Sequence, residues 1–346
     1  MRPWGPARSP QDRGSRRELP AGSARRADAR VKVTGSPLHL RRTARLSLGA
    51  LALLAVAATG CNRGGDSSSN DNNNESLQRC GEGWVLVPKG PFTMGVDPND
   101  PRVSSTAFWD SLMRHTVQMS DYCIGRTEVS VAEYRKCVEA GGCELPDRTR
   151  DFDLACNYTA EPGDREHHPV NCIGWDRARA YCQWIGGDLP SEAQWEKAAR
   201  GTDERWYPWG EATPDCSRCN YDENGEWDPD TNQGAGNGCG HSDTPMTWEV
   251  GHLTSHKGDS PYGVKDMAGN VDELVLDCGD LDFYQQCAAG DCTDPVNLHD
   301  GECWHGTRGG GATASPENVD SIEPMGGDSR SAEFGFRCAK VARSIQ

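Results

Sequence analysis

The chain lacks any apolar run of bilayer length. Its one sustained apolar stretch, Leu46–Ala58, covers about 13 residues, short of the roughly 20 that a membrane-crossing helix needs. Positive charge is also scarce beyond residue 60. Of 36 Lys+Arg and 52 Asp+Glu, 12 basic and 3 acidic side chains lie in residues 1–60, which leaves 24 against 49 and a net charge of −25 for the remainder. A body that acidic repels phosphate backbones and anionic headgroups, which argues against nucleic acid as a partner, and most of its charge serves as a solvated surface. The 16 cysteines fall at no repeated metal-ligand spacing. Scattered at this density, they imply disulfides formed in an oxidising compartment. Setting Cys61 apart leaves an odd number, so at least one is free, bound or intermolecular, and the pairing cannot be read from spacing. With no tandem repeat and no second linker, one folded domain is expected.

The amino terminus reads as an export signal. Arg41, Arg42 and Arg45 precede the apolar run, and Thr59-Gly60-Cys61 follows it, the layout of a signal peptide. Small residues before a cysteine resemble a bacterial lipoprotein processing site, with Cys61 as the lipidated first residue of the mature chain. Asn62 in place of Asp implies outer-membrane retention in a Gram-negative envelope, facing the periplasm or the exterior; the alternative is an ordinary signal peptide cut nearby. Residues 1–40 are Arg-rich and resemble no targeting class, as if translation began at Val31 or Val33. Residues 62–79 hold almost nothing that can be buried, and such a tract reads as a flexible tether. The organisation expected is therefore a signal segment over 1–61, a tether over 62–79 and a folded domain over 80–343.

Three helices are legible. Ser130-Val-Ala-Glu133 is a capping box with Val129 and Tyr134 placed as its hydrophobic staple, and Gly141-Gly142 ends that helix. Trp175, Ala178, Cys182 and Ile185 recur at helical spacing before Gly186-Gly187, and Ser191-Glu-Ala-Gln194 caps a third helix that ends at Gly201. Strands are expected at Trp84–Pro88, Phe92–Met94, Val117–Ile124 and Glu333–Ala339. The rest is turn-forming: 40 Gly and 21 Pro describe a loop-rich α+β domain that needs staples.

Six ordered blocks then carry a family resemblance. They are Gly83–Gly95; Tyr122–Val129 with its helix; the run His168–Trp184, Asp188–Gly201 and Tyr207-Pro-Trp-Gly210; Ser260–Glu273; Arg308-Gly-Gly310; and Phe334-Gly-Phe-Arg-Cys-Ala339. In this order they resemble the formylglycine-generating enzyme, or sulfatase-modifying factor, family. The fold implied is that family's variant of the C-type-lectin-like α+β fold, loop-rich and stapled by disulfides.

The family's oxidases hold Cu(I) with two cysteines in the pattern Gly-Gly-Ser-x-x-Cys-x-x-x-x-Cys, because soft thiolates select that ion. Here the run reads Gly309-Gly-Gly-Ala-Thr-Ala314-Ser-Pro-Glu-Asn-Val319. Ala314 and Val319 stand where the thiolates belong, and neither can bind copper. Cys303 and His305 lie upstream as possible substitutes, or as a half-cystine beside a surface histidine. Cys216-Ser-Arg-Cys219 reads as part of a disulfide framework, and His252 and His256 are a weak zinc pair in a loop. The iron-dependent sister branch places a Glu where Gly258 stands here. The resemblance implies structural calcium held by Asp266, Glu273 and the carbonyls of Gly269 and Val271, hard oxygen donors that suit the ion; a solvated acidic turn is the alternative. Asp272 and Leu274 depart from the family's flanking Trp residues. A second calcium would use Asn220, the Tyr221 carbonyl and Asp243. The resemblance also implies a Cys182–Cys338 disulfide.

Two functions follow. One is a non-catalytic lipoprotein that uses the scaffold to bind an envelope protein, peptide or glycan, with its membrane contact made through the lipid. The other is an oxygen-dependent oxidoreductase acting on a protein cysteine with substituted ligands.

Overall fold

The computed structural model describes residues 67–97, 99–102, 114–223, 227–228, 233–234, 239, 247–279, 283–298, 303–321, 325–326 and 331–344. Cys61 and Asp243, with the whole signal segment, lie outside them. None of the described helices is long and apolar enough to cross a membrane.

The elements run α1 (Ser67–Cys80), β1 (Trp84–Val87), β2 (Gly90–Met94), β3 (His115–Met119), β4 (Tyr122–Gly125), α2 (Val131–Glu139), α3 (Trp175–Trp184), α4 (Glu192–Arg200), β5 (Trp227–Asp228), β6 (Gln233–Gly234), β7 (Asp272–Cys278), α5 (Phe283–Ala289), β8 (His305–Arg308), β9 (Met325–Gly326), β10 (Phe334–Gly335) and β11 (Ala339–Val341). Two sheets organise them. One has the order β1-β4-β11 and is antiparallel; the other has the order β10-β7-β8-β9, with β10 parallel to β7.

Both capping boxes form. Ser130 accepts from the Glu133 N–H while Glu133 reaches back, and Ser191 does the same with Gln194. α4 buries nearly all its length, with Trp195, Ala198 and Ala199 set against Val87, Phe92, Val117 and Ile124. α2 and α3 enclose a second cluster around Tyr134, Tyr181, Ile173 and Phe336. Cys182 of α3 bonds Cys338 beside that cluster.

Three expectations change. The stretch Val117–Ile124 is two strands, because the Asp294 carboxylate takes the Ser120 N–H at 2.7 Å and its hydroxyl at 2.6 Å. That turn sends β3 to pair with β2 and β4 to pair with β1 and β11. Glu333–Ala339 is likewise split: β10 joins β7, β11 joins β4, and Arg337 between them turns inward. The tether was expected to reach residue 79, yet the chain is helical from Ser67. Its last turn is fastened by Ser76, whose hydroxyl donates to the Trp84 carbonyl and accepts from the Leu86 N–H, by Arg79 on the Arg343 carbonyl, and by the Cys80–Cys123 disulfide. Those ties supply what the polar sequence lacks.

Candidate functional site

Three loops are stitched together by their backbones at one place. The Asn270 N–H donates to the Asn220 carbonyl at 2.8 Å, the Gly269 N–H to Gly309 at 2.8 Å, the Ala312 N–H to Asn270 at 3.1 Å and the Asp222 N–H to Ala314 at 2.9 Å. The approach is so close that a Cβ on Gly269, whose φ is +76°, would stand 2.2 Å from the Asn220 carbonyl oxygen. One on Gly310 (φ +69°) would stand 2.3 Å from that of Asn318. Only glycine fits both the left-handed backbone and the contact.

This junction carries Ala314 and Val319. Val319 is fully buried in a small apolar cluster with Cys219, Tyr221, Cys239 and Ala268, and Ala314, Trp209 and Trp248 pack against it. Cys216 bonds Cys239, so the two cysteines of the Cys-x-x-Cys run do not pair; Cys219 is the free thiol among the described cysteines. Burial raises its pKa far above the ordinary thiol range, so it is protonated and a poor ligand or nucleophile. Tyr207 stacks on Trp209 with centroids 5.2 Å apart and planes 4° from parallel, giving the cluster an aromatic flank.

Cys303 is lost as a copper ligand. It is disulfide-bonded to Cys278, and a cystine sulfur offers no thiolate. His305 stacks on Trp175 at 3.8 Å, its Nδ1 3.3 Å from the Asp277 carbonyl oxygen. His252 and His256 turn to different neighbours, His252 toward the Trp248 ring and His256 onto Asp259 at 2.6 Å. They form no pair.

The implied calcium residues surround the same junction, with unequal fit. Glu273 is buried and takes the Trp195 Nε1–H at 2.8 Å, while Arg337 clasps it through Nε and Nη2. Its charge is already balanced, and a cation there would compete with a guanidinium. Asp266 accepts the Gly251 N–H and lies against Glu128, a carboxyl that takes the Asn270 Nδ2–H at 2.8 Å. Burial raises both pKa values, Glu128's well above the carboxylate range, and each is raised or lowered by the other's presence. Glu128 is buried and Asp266 half-buried, and two carboxyls in contact favour a shared proton or a cation, so the donor chemistry of Asp266 and Glu128 suits a divalent ion. Of the second set, the Asn220 Oδ1 accepts the Cys239 N–H at 3.1 Å and its backbone oxygen is taken by Asn270, while Asp243 lies outside the described residues.

Sequence reasoning assigns no role to Glu128, Asn270 or Arg337, which stand inside the motifs Arg-Thr-Glu-Val, Ala-Gly-Asn-Val and Phe-Arg-Cys. The disulfide reading of Cys216 and Cys219 holds for Cys216 alone. Asp272 enters the sequence reading only as a departure from the family's Trp. It is 5 % exposed, and burial, reinforced by Glu333, drives its pKa well up.

Comparison with known proteins supplies a family and a fold. The family described as sulfatase-modifying factor enzyme 1-like domain matches residues 69–342. The formylglycine-generating enzyme of Streptomyces coelicolor is 32 % identical over 312 residues, covering 76 % of this chain and 91 % of its own. That of Thermomonospora curvata is 27 % identical over 313 residues, covering 76 % and 95 %. Among solved structures, PvdO from Pseudomonas aeruginosa superimposes with a TM-score of 0.56 at 21 % identity, over 75 % of this chain and 94 % of that one. The likeness extends to the fold: mixed α/β and loop-rich, as expected for the C-type-lectin-like variant.

Proposed function

Because the chain belongs to the sulfatase-modifying factor family, we propose that it is a non-catalytic binding module of that family, carried on the cell envelope by a lipid at Cys61. One observation carries the reading. Where the oxidases place two copper-binding thiolates, this chain has a fully buried Val319 in an apolar cluster with the partly buried Ala314 packed against it, and the thiol beside them, Cys219, is buried and protonated. Seven disulfides among the described cysteines support an exported, oxidising location. The aromatic flank at Tyr207, Trp209 and Trp248 gives a peptide or glycan a surface to stack on. Calcium belongs to the proposal as a structural ion that Asp266 would hold, with Glu128 beside it; its chemistry would be neutralisation of buried charge. The competing oxidoreductase has lost its best substitute, since Cys303 is a half-cystine.

The test is oxygen uptake with a Cys-x-Pro-x-Arg peptide, together with Cu(I) binding, on the purified chain. Neither should be seen in the native protein, whereas the double variant Ala314→Cys, Val319→Cys should gain Cu(I) binding. Peptide-dependent oxygen consumption by the native chain sinks the proposal.

A further inference from the structure

Arg165 holds a buried positive charge with no carboxylate hydrogen-bonded to it. Its residue is 2 % exposed, and the carboxylates flanking it in sequence are engaged elsewhere. Asp164 pairs with Arg150 at 2.8 Å, and Glu166 takes Nη2 and Nε of Arg135 at 2.7 and 3.0 Å. The Arg165 Nη1 donates to the Asn157 Oδ1 at 2.8 Å, but Nε and Nη2 have no hydrogen-bond partner. The polar groups nearby are neutral and satisfied among themselves: Asn157 Nδ2 donates to Thr247 Oγ1 at 2.9 Å, and Thr247 meets His168 Nδ1 at 3.0 Å. Burial and the Arg165 charge both lower the His168 pKa, so the histidine adds no compensating charge of either sign.

The two bare nitrogens are the ones that matter for recognition. Nε–H and Nη2–H lie on one edge of the planar guanidinium and point the same way, a fork that matches two oxygens of one planar anion. The chain uses this edge repeatedly: Arg114 on Glu204 at 2.9 and 2.7 Å, Arg205 on Asp203 at 2.8 and 2.7 Å, Arg102 on Asp100 at 3.0 and 2.8 Å. Each time the partner is a carboxylate. A guanidinium buried with that edge empty is costly, and its cost falls once an anion arrives.

We propose that the Nε/Nη2 edge of Arg165 is a binding site for a carboxylate group. This goes beyond the binding-module reading and does not depend on it. The probe is sodium formate, titrated into the full chain at constant ionic strength while thermal unfolding is followed. Formate should raise the Tm saturably, by about 4 °C at ten times its Kd. Arg165→Gln should abolish the rise. Since that variant could fail to fold, Asn157→Asp gives a second reading: it sets an internal carboxylate against the guanidinium and should also remove the response. No saturable rise in the native chain, or the same rise in either variant, overturns the site. Repeating the titration with a blocked Gly-Glu-Gly peptide and its Gly-Gln-Gly counterpart names the source. A response to the Glu peptide at lower concentration than formate assigns an acidic side chain; a response to formate alone assigns a free anion.

Discussion

The cluster enclosed by α2 and α3 and the cluster around Val319 are both apolar and both touch cystines, yet they are built in opposite ways. The first rests on helices whose side chains recur at helical spacing, and Cys182–Cys338 closes a separation of 156 residues beside it. The second contains no described α-helix. It is held by four loop-to-loop backbone hydrogen bonds and two glycine approaches that leave no room for a Cβ. Packing energy sustains the helical cluster, whereas backbone geometry fixes the loop cluster. A site that changes side chains at constant geometry is best placed on the second kind, and that is where Ala314 and Val319 lie.

The largest effect that would break the comparison falls on the stapled side. Replacing Cys182 and Cys338 together by serine should destabilise the domain by about 5 kcal/mol, from the loop entropy restored to the unfolded chain. Denaturant midpoints on the reduced-pair variant check it. A loss near 1 kcal/mol would mean that the helical cluster holds without its staple.

Next comes the loop cluster's own anchor. Gly269→Ala forces a methyl group to within 2.2 Å of the Asn220 carbonyl carbon's oxygen at a φ of +76°. A left-handed non-glycine residue alone costs about 1–3 kcal/mol, and the contact adds to it, so a loss of about 3 kcal/mol or more is expected. Gly163→Ala, where the nearest contact is a Thr159 hydroxyl at 3.3 Å, should cost well under half as much. Equal losses in the two variants would deny the junction its rigidity.

The acids with raised pKa values predict a pH dependence. Burial raises the pKa of Glu128, Asp266 and Asp272, and that of Asp277 to about 7. For each, the folded state keeps a proton that the unfolded carboxyl, with a pKa of about 3.9 for Asp or about 4.3 for Glu, has already released. Stability is therefore fully present below about pH 4 for these groups and is lost as pH rises through the folded values, a window that for Asp277 ends near pH 7. Unfolding midpoints should fall between pH 5 and 8, less steeply in Asp277→Asn. Calcium at Asp266 and Glu128 would replace the shared proton, so millimolar calcium should raise the midpoint more at pH 8 than at pH 5, and Glu128→Gln should remove that difference. A calcium response independent of pH would move the ion elsewhere.

The same contrast explains what the sequence made legible. Helix caps and apolar periodicity located α2, α3 and α4, because a helix repeats its surroundings every few residues. The family blocks located Ala314, Val319 and the Cys182–Cys338 pair. Neither source could assign Glu128 to Asp266, or Arg337 to Glu273, since those partners lie 138 and 64 positions apart and meet only when the loops are stitched. The split of Val117–Ile124 escaped for a similar reason. Ser120-Asp121 is only a weak turn signal inside an apolar-rich run, and the carboxylate that holds the bend belongs to Asp294, far along the chain.

The smallest effect concerns Cys219, the loop cluster's unpaired thiol. Its side chain is 3 % exposed and surrounded by Tyr221, Val319 and Ala268, so it acts as a small apolar filler. Cys219→Ala should cost about 1 kcal/mol or less, in the range of modest core truncations. Thiol counting separates this role from a reactive one. In a Cys61→Ser background, the native chain should show no thiol that reacts quickly with an aromatic disulfide at pH 8, and the denatured, unreduced chain should show one, lost on adding Cys219→Ala. Rapid labelling of Cys219 in the native chain would reopen the loop cluster as a chemical site, because a thiol that reacts at pH 8 is neither sealed nor held protonated by its apolar surroundings.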